Sequence, residues 1–130
     1  MLSGMLIHVE DKPFADDAWP ARWIWGGSSG YDCGGFEACW FARSFEVSAK
    51  DKTQPLCVHL SADQRYVLYF NGQRIGTGPA TGDRLHWRYD SYDLTDLLEQ
   101  GENVLAVLCW HDRDVAPGAQ ISFKPGFMLA

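Results

Sequence analysis

The sequence of 130 residues predicts one all-β domain, a β-sandwich of jelly-roll type. Three observations support this prediction. Roughly seven to nine short segments rich in aromatic and β-branched residues follow one another, separated by Gly, Pro, Asn and Asp. Asn71-Gly72 joins two of these segments and favours a tight hairpin turn, because both residues tolerate positive φ. The helical signal at 94–98 is a single turn, too short for an α/β fold.

Residues 1–22 predict an extended arm around the domain. Pro13 and Pro20 interrupt any regular element there, although LIHV at 6–9 has the composition of a further strand. Three indole rings are expected to anchor the arm, those of Trp19, Trp23 and Trp25. The arm leads into residues 26–35, five of them glycine, which predict a loop.

The strands of the sandwich are predicted from the rest of the chain. Residues 66–70 are apolar at every position, as expected where one face of a strand meets the core and the other is also covered. Residues 84–92, RLHWRYDSY, alternate like a strand, and 121–129 give one or two strands interrupted at Pro125-Gly126. The remaining predicted strands are 40–47 and 56–60, which we expect to pair or to face each other, the hairpin return 73–76, and 104–110.

The short helical turn at 94–98 has its own sequence signals. Asp93 precedes the turn and is a candidate N-cap. Asp96 lies in the first turn, where a negative charge suits the positive end of the helix dipole. Gly101 is expected to end the turn.

The glycine-rich segment 76–82, GTGPATG, also allows a phosphate-loop interpretation. Phosphate loops stand between a strand and a long helix whose first amides point at the anion. The residues that follow here alternate like a strand, so the sequence favours a plain loop.

Four cysteines are present, at 33, 39, 57 and 109. We expect Cys57 and Cys109 to be small core residues, because both fall inside predicted strands. Cys33 and Cys39, in the glycine-rich loop, are the pair best able to form a disulfide, but reduced thiols are favoured. No pair has the spacing of a zinc knuckle, so no metal is predicted there.

The net charge of -6 opposes nucleic acid as a partner, because phosphate binding requires clustered Lys and Arg. No run of 18 apolar residues exists, and residues 1–14 lack the basic start and apolar core of a secretion signal. We therefore expect no membrane partner and favour a cytoplasmic location.

Six segments in this order resemble the N-terminal β-sandwich domain of bacterial α-L-rhamnosidases, and more broadly the galactose-binding-like jelly rolls attached to many glycoside hydrolases. They are WIW at 23–25, FARSF at 41–45, SADQRYVLYFNGQRIGTGPATGD at 61–83, HWRYDSYDLT at 86–95, GENVLAV at 101–107 and PGF at 125–127.

The resemblance implies a noncatalytic accessory domain whose partner is the catalytic domain of a longer enzyme, an (α/α) barrel that carries the catalytic carboxylates. It therefore implies that this chain is a fragment or an excised domain. Some rhamnosidase β-sandwich domains bind rhamnose with calcium, but no motif here matches such a site, so neither a cofactor nor a metal is expected. The alternative is a purely architectural or oligomerisation domain without a ligand.

The acidic residues do not predict a catalytic pair. Glycoside cleavage requires two carboxyl groups held roughly 5 to 10 Å apart across a sugar. Asp93 and Asp96 belong to the helical turn, and Asp63 and Asp90 are expected to fix turns through Asx hydrogen bonds. The sequence His111-Asp112 with Asp114 lacks the alternating oxygen ligands and the bidentate Glu of a calcium loop.

The candidate carbohydrate site lies in the aromatic segment after the glycine-rich loop. Sugar rings stack on Trp or Tyr, while Asp and Arg groups bind the hydroxyls. Two interpretations stay open, sugar contact and packing in the core or against another domain, because Trp87 and Tyr89 share one face of the predicted strand with Leu85. The candidate residues are Arg84, His86, Trp87, Arg88, Tyr89 and Asp90.

Overall fold

The computed structural model describes residues 5–7, 19–26, 35–83, 85, 87–112, 116–122 and 124–130. Its strands form two four-stranded sheets in which neighbouring strands are antiparallel. The strands are β1 (Met5–Ile7), β2 (Glu37–Val47), β3 (Cys57–Asp63), β4 (Arg65–Phe70), β5 (Gln73–Gly78), β6 (Asp90–Asp93), β7 (Gly101–His111) and β8 (Gly126–Leu129). Two single 3-10 turns, Asp51–Thr53 and Thr95–Leu97, are the helical elements of the described residues.

The first sheet has the strand order β1-β6-β3-β8, and the second sheet has the order β2-β7-β4-β5. The strands β2 and β3 belong to different sheets, so they do not pair with each other. Ile24 adds an isolated antiparallel bridge to Phe127 beside β8. The predicted all-β sandwich is confirmed.

The core lies between the two sheets, because alternate side chains of each strand point to the same face. Each fully buried large side chain removes enough apolar surface from water to contribute about 1.5–3 kcal/mol. The first sheet contributes Val58, Leu60, Ala62, Tyr92 and Phe127, and the second sheet contributes Val47, Tyr66, Leu68, Phe70, Val107 and Cys109.

The predicted Asn-Gly hairpin joins β4 to β5. Asn71 and Gly72 have φ values of 48° and 78°, as a turn of this kind requires. The Asn71 amide also bonds β7: its Nδ2 donates to Asn103 Oδ1 at 2.9 Å, and its Oδ1 accepts from the Val104 amide at 2.8 Å. Asn103 is buried and further accepts from the Glu99 amide at 2.9 Å. The side-chain amides of Asn71 and Asn103 therefore hold the hairpin against β7 at this end of the sandwich.

The aromatic strand predicted at 84–92 is shorter in the structure. Among the residues of this segment that the structure describes, only Asp90–Asp93 forms a strand, β6. The Ser61 hydroxyl of β3 donates to the Arg88 carbonyl at 2.6 Å, so a side chain occupies this acceptor before the ladder begins. The predicted last segment is also shortened, to β8, because Pro125 offers no amide to a ladder and the Lys124 amide donates to Asp63 Oδ2 at 2.9 Å.

The helical turn differs from its prediction by about one residue at each end. Its residues are Thr95–Leu97, and Leu94 occupies the N-cap position without a side-chain bond. Asp93 still initiates the turn, because its Oδ1 accepts from the Thr95 amide at 2.9 Å. A hydrogen bond from the Thr95 side chain and, second, the bond from its amide lower the pKa of the Asp93 carboxyl. Gly101, with φ of 97°, begins β7 instead of ending the turn.

The cysteines give one confirmation and one correction. Cys109 is fully buried, as predicted, and burial raises the pKa of its thiol to about 12. Cys57 is exposed, so its prediction as a core residue is wrong; Val58 and Leu60 occupy the core face of β3. Cys39 is a free thiol directly opposite Cys109 on the neighbouring strand. The predicted partner Cys33 lies outside the described residues.

Neither short turn in the described part of the chain has the length and apolarity of a membrane-spanning helix.

Candidate functional site

The described candidate residues, 87–90, lie at the end of the sandwich opposite the Asn71-Gly72 hairpin. We call it the loop end: it contains the turn from β3 to β4 at 63–65, the end of β5, the segment 87–89, the end of β7 and the entry to β8. On the second sheet, the start of β2 also lies at the loop end, because Glu37 pairs with His111 at the end of β7. The neighbouring pair is Trp110 and Arg65.

An aromatic layer covers part of the outer face of the first sheet. Trp19 and Tyr89 pack edge to face with ring centroids 5.0 Å apart, and His59 lies 6.3 Å from the Tyr89 ring. Trp23 and Trp87 form a second edge-to-face pair at 6.3 Å. Such pairs contribute about 0.5–1.5 kcal/mol each beyond their buried area. Two of the arm's indole rings therefore lie directly on the predicted site.

Hydrogen bonds to β3 and β6 hold this aromatic layer in place. Trp87 Nε1 donates to Ser61 Oγ at 3.1 Å, and Ser61 in turn donates its own proton to the Arg88 carbonyl. His59 Nδ1 lies 2.7 Å from Ser91 Oγ on the paired strand. Burial lowers the pKa of the His59 imidazole, which favours its neutral form. The aromatic layer is therefore joined to the first sheet by polar contacts.

Asp90 differs from Trp87 and Tyr89, because its side chain points to the opposite face. Its carboxylate accepts a hydrogen bond from the Tyr66 hydroxyl, which also lies 3.1 Å from the Tyr92 hydroxyl. Burial raises the pKa of the Asp90 carboxyl, against the opposing effect of the Tyr66 hydrogen bond and of Arg65. The expectation that Asp90 fixes a turn is wrong; its half-buried carboxylate instead bonds a phenol of the sandwich interior.

Glycine makes room for this interior group. A Cβ atom on Gly78 would overlap the Asp90 carboxylate and lie 2.7 Å from the Tyr66 hydroxyl oxygen. A Cβ atom on Gly76 would lie 2.5 Å from the Tyr92 hydroxyl oxygen. The glycines of the GTGPATG segment thus admit a buried carboxylate and two phenols, which accounts for two of them without a phosphate.

The structure brings together part of the predicted carbohydrate site. Trp87 and Tyr89 are half-buried on the aromatic layer, and the Arg88 side chain is exposed beside them. Arg84 and His86 lie outside the described residues. Trp23, which is 45% exposed, joins the layer although it was predicted only as an anchor of the arm.

A buried polar network at the loop end was not predicted. Asp63 and His111 are both buried, and Ser122 lies between them. Ser122 Oγ donates to Asp63 Oδ1 at 2.6 Å and lies 2.7 Å from His111 Nε2. The predicted role of Asp63, an Asx bond within its own turn, is wrong: its carboxylate fixes the entry to β8. Only the pairing of distant strands brings these three groups together.

This network contains the residue types of a catalytic triad but not its geometry. In a triad the carboxylate bonds His Nδ1 and the serine gives its proton to the opposite nitrogen. Here Asp63 receives the serine proton, and its Oδ1 lies 3.5 Å from His111 Nε2. The Ser122 hydroxyl is therefore held by a carboxylate and is not activated as a nucleophile.

Gln64, beside this network, carries one unsatisfied donor. Its Oε1 accepts from the Asp112 amide at 2.9 Å, while its Nε2 is buried without an acceptor. Such a buried unpaired donor costs about 1–3 kcal/mol. Within the described residues, no group of three His, Cys, Asp or Glu side chains is arranged to hold a metal ion.

The sequence matches no family model and no curated protein. Among solved structures, it is similar to a GH78 family rhamnosidase of Bacillus sp. GL1, with 34% identity and a TM-score of 0.71 over 85% of this chain. It is also similar to an α-L-rhamnosidase from Dictyoglomus thermophilum, with 23% identity and a TM-score of 0.66 over 88% of this chain. This chain spans 11% and 14% of those two proteins. The predicted resemblance to α-L-rhamnosidases is confirmed by the first similarity, and the fold by both.

Proposed function

We propose that this chain is a noncatalytic β-sandwich module of an α-L-rhamnosidase-type glycoside hydrolase and that it supports the catalytic domain of that enzyme. The observation that carries the proposal is the 34% identity over 85% of this chain to a segment that is only 11% of a rhamnosidase. A segment that makes up 11% of a polypeptide has the size of an accessory domain, since the rest of that polypeptide is about eight times longer.

The chemistry of the described acidic residues agrees with a noncatalytic role. Asp63 accepts hydrogen bonds from Ser122 and from the Lys124 amide, and Asp90 accepts one from Tyr66. A glycosidase instead requires one protonated acid and one free carboxylate on opposite sides of a sugar. We therefore expect the chain alone to give no turnover of an aryl rhamnoside, and measurable turnover would contradict the noncatalytic assignment.

A chimera tests the supporting role. The matching segment of the Bacillus sp. GL1 rhamnosidase is replaced by this chain, and the rhamnosidase activity and solubility of the chimera are compared with those of a variant that lacks the segment. We expect the chimera to retain activity that the deletion loses, because the sandwich restores the missing domain contacts. A control chimera carries Leu68→Asp, which places a charge in the buried core.

Two results of this comparison would contradict the proposal. The first is a chimera no more active or soluble than the deletion variant. The second is an equal gain from the Leu68→Asp chimera, because a segment that cannot fold would then serve as well as the sandwich.

We propose carbohydrate as the ligand of the aromatic layer, a second role favoured by Trp23. Trp23 is 45% exposed and its ring adjoins that of Trp87, and Arg88, which follows Trp87 in the chain, is exposed. An exposed indole suits the face of a sugar ring, and an exposed guanidinium suits its hydroxyls.

Isothermal titration with L-rhamnose and with plant-type oligosaccharides at millimolar concentration tests this role. We expect binding heat that Trp23→Ala abolishes. Trp40→Ala is the matched control, since Trp40 is also exposed but lies on the second sheet. Absence of heat with the unchanged chain would contradict carbohydrate binding and leave the supporting role as the proposed function.

A further inference from the structure

The outer face of the second sheet is apolar over its whole centre. Inward positions of its strands supply core residues such as Val107 and Leu68, so the alternate positions point outward. We call the outward apolar residues the second-sheet face: Ala38, Trp40, Ala42, Val67, Tyr69, Val104, Ala106, Leu108 and Trp110.

Eight of these residues form three adjoining rows across the sheet, and Val104 lies in the next row, opposite Ser44. One row runs from Ala42 through Ala106 to Tyr69, and the next from Trp40 through Leu108 to Val67. The third row runs from Ala38 through Trp110 to Arg65. On β5 the first two rows end at Arg74 and Thr77, so the three rows contain no acidic residue.

Solvent reaches this face. Trp40 is 58% exposed and Val104 is 38% exposed, while Trp40 leans on Tyr69 with ring centroids 5.6 Å apart. The outer face of the first sheet differs, because the chain lays its own Trp19, Trp23 and Trp87 over it. A contiguous exposed apolar surface of this kind marks an interaction site.

We propose that a second copy of this chain binds the second-sheet face, around a two-fold axis that runs parallel to the strands between β7 and β4. Such an axis places β7 of one copy over β4 of the other. Leu108 then faces Val67, the small Ala106 faces the large Tyr69, and the Trp110 ring faces the Arg65 guanidinium in a cation-π contact. An isologous interface requires this self-complementarity, in which each pair occurs twice.

The charges of the face agree with this arrangement. Both basic residues of the rows, Arg65 and Arg74, lie on the β4–β5 half, and the β2–β7 half of the three rows is uncharged. The axis therefore sets each guanidinium over alanine or an indole instead of over a second guanidinium. The net charge of -6 on each copy lies elsewhere and repels at long range, so added salt should strengthen the dimer.

The size of the face sets the expected affinity. Four strands spaced at about 4.8 Å, over these rows and their margins, cover roughly 500 Å² per copy. The two copies then bury on the order of 1,000 Å², the lower end for a specific interface. We expect a dissociation constant on the order of 10 μM to 1 mM.

Sedimentation velocity of this chain, from about 10 μM to about 1 mM, tests the proposal. We expect a monomer–dimer equilibrium that shifts toward dimer with salt. Ala42→Lys places an ammonium group opposite the Arg74 guanidinium of the second copy, at two places in the interface, and should weaken the dimer at least roughly tenfold, a change of about 1.4 kcal/mol. Trp40→Ser removes the most exposed ring of the face and should also weaken it.

Ala49→Lys is the matched control, since Ala49 is exposed in the turn after β2 and outside the face. Circular dichroism verifies that each variant is folded. A monomer at every concentration would overturn the proposal, and so would a dimer that Ala42→Lys and Trp40→Ser leave unchanged. Either result is independent of the chimera experiment, which uses only the rhamnosidase activity.

Discussion

Asp90 places a carboxyl group against the interior of the sandwich, where two phenols and two glycines surround it. Its hydrogen bond from Tyr66 favours the ionised form, but the loss of water around the carboxylate has the larger effect and raises its pKa. The folded chain thus binds this proton more tightly than an unfolded chain does. A half-buried group of this kind links the stability of the fold to pH.

Replacement by Asp90→Asn tests this linkage. The raised folded pKa means that the carboxyl contributes stability below its ordinary pKa of 3.8 and loses that contribution as pH rises through the raised value. We therefore expect the unfolding free energy of the unchanged chain, relative to Asp90→Asn, to fall as pH rises from about 3 to about 7.

Urea unfolding of both proteins at a series of pH values gives this difference. The side-chain amide that this replacement introduces keeps an acceptor for Tyr66 and does not titrate, so the effects of all other titrating groups cancel in the comparison. A difference that stays constant or increases with pH would contradict the raised pKa.

The hairpin between β4 and β5 shows how one element is fixed to its neighbours. Asn71 tolerates the positive φ of the turn, and its amide bonds Asn103 and the Val104 amide of β7. The turn therefore sets both the register of the hairpin and its attachment to the centre of the second sheet. A local sequence signal and a long-range contact agree at this position.

Asn71→Ala removes the two hydrogen bonds and places a Cβ-bearing residue without a local hydrogen-bonding group in the left-handed region. We expect a loss of about 2–3 kcal/mol in unfolding free energy, because the buried Asn103 also loses a partner. Denaturant unfolding measures the loss. Gln100→Ala, at an exposed amide in the nearby turn, is the control and should change stability by less than about 0.5 kcal/mol. An equal effect of the two replacements would refute the proposed role of the Asn71 amide.

At the scale of the whole molecule, the two sheets share one core, so neither is expected to be stable alone. Leu60 of the first sheet and Leu68 of the second are both fully buried in it. Their side chains lie on strands that adjoin in sequence but belong to different sheets. The sandwich should therefore unfold as one cooperative unit.

Leu60→Ala and Leu68→Ala should each cost about 2–5 kcal/mol, the range for a large-to-small change in a packed core. Thermal unfolding followed by circular dichroism and by Trp fluorescence should give one coincident transition for each variant. Leu85→Ala is the control, since Leu85 is 89% exposed. Two separate transitions, or a loss confined to one probe, would show that the sheets unfold independently.

Much of the fold could be predicted because its signals are local. The apolar runs along β4 and β7 and the Asn-Gly turn each indicated the element that forms. The candidate site was less predictable: Trp87 and Tyr89 share one face as expected, but Asp90 belongs to the next strand position and points inward. Cys57 was wrongly predicted to be buried, because the sequence of an apolar strand does not indicate which of its two faces packs against the core.

The sequence by itself determined that this chain forms short antiparallel strands, where its tight turn lies, and which enzymes it resembles, since backbone preference and side-chain alternation act between near neighbours. Tertiary structure alone decided that Asp63, Ser122 and His111 come into contact. It also decided that Trp19 and Trp23 cover part of the outer face of the first sheet, and that Trp40 and Val104 on the outer face of the second sheet are exposed. Those contacts join residues far apart in the chain, so their positions depend on the pairing of all the strands between them.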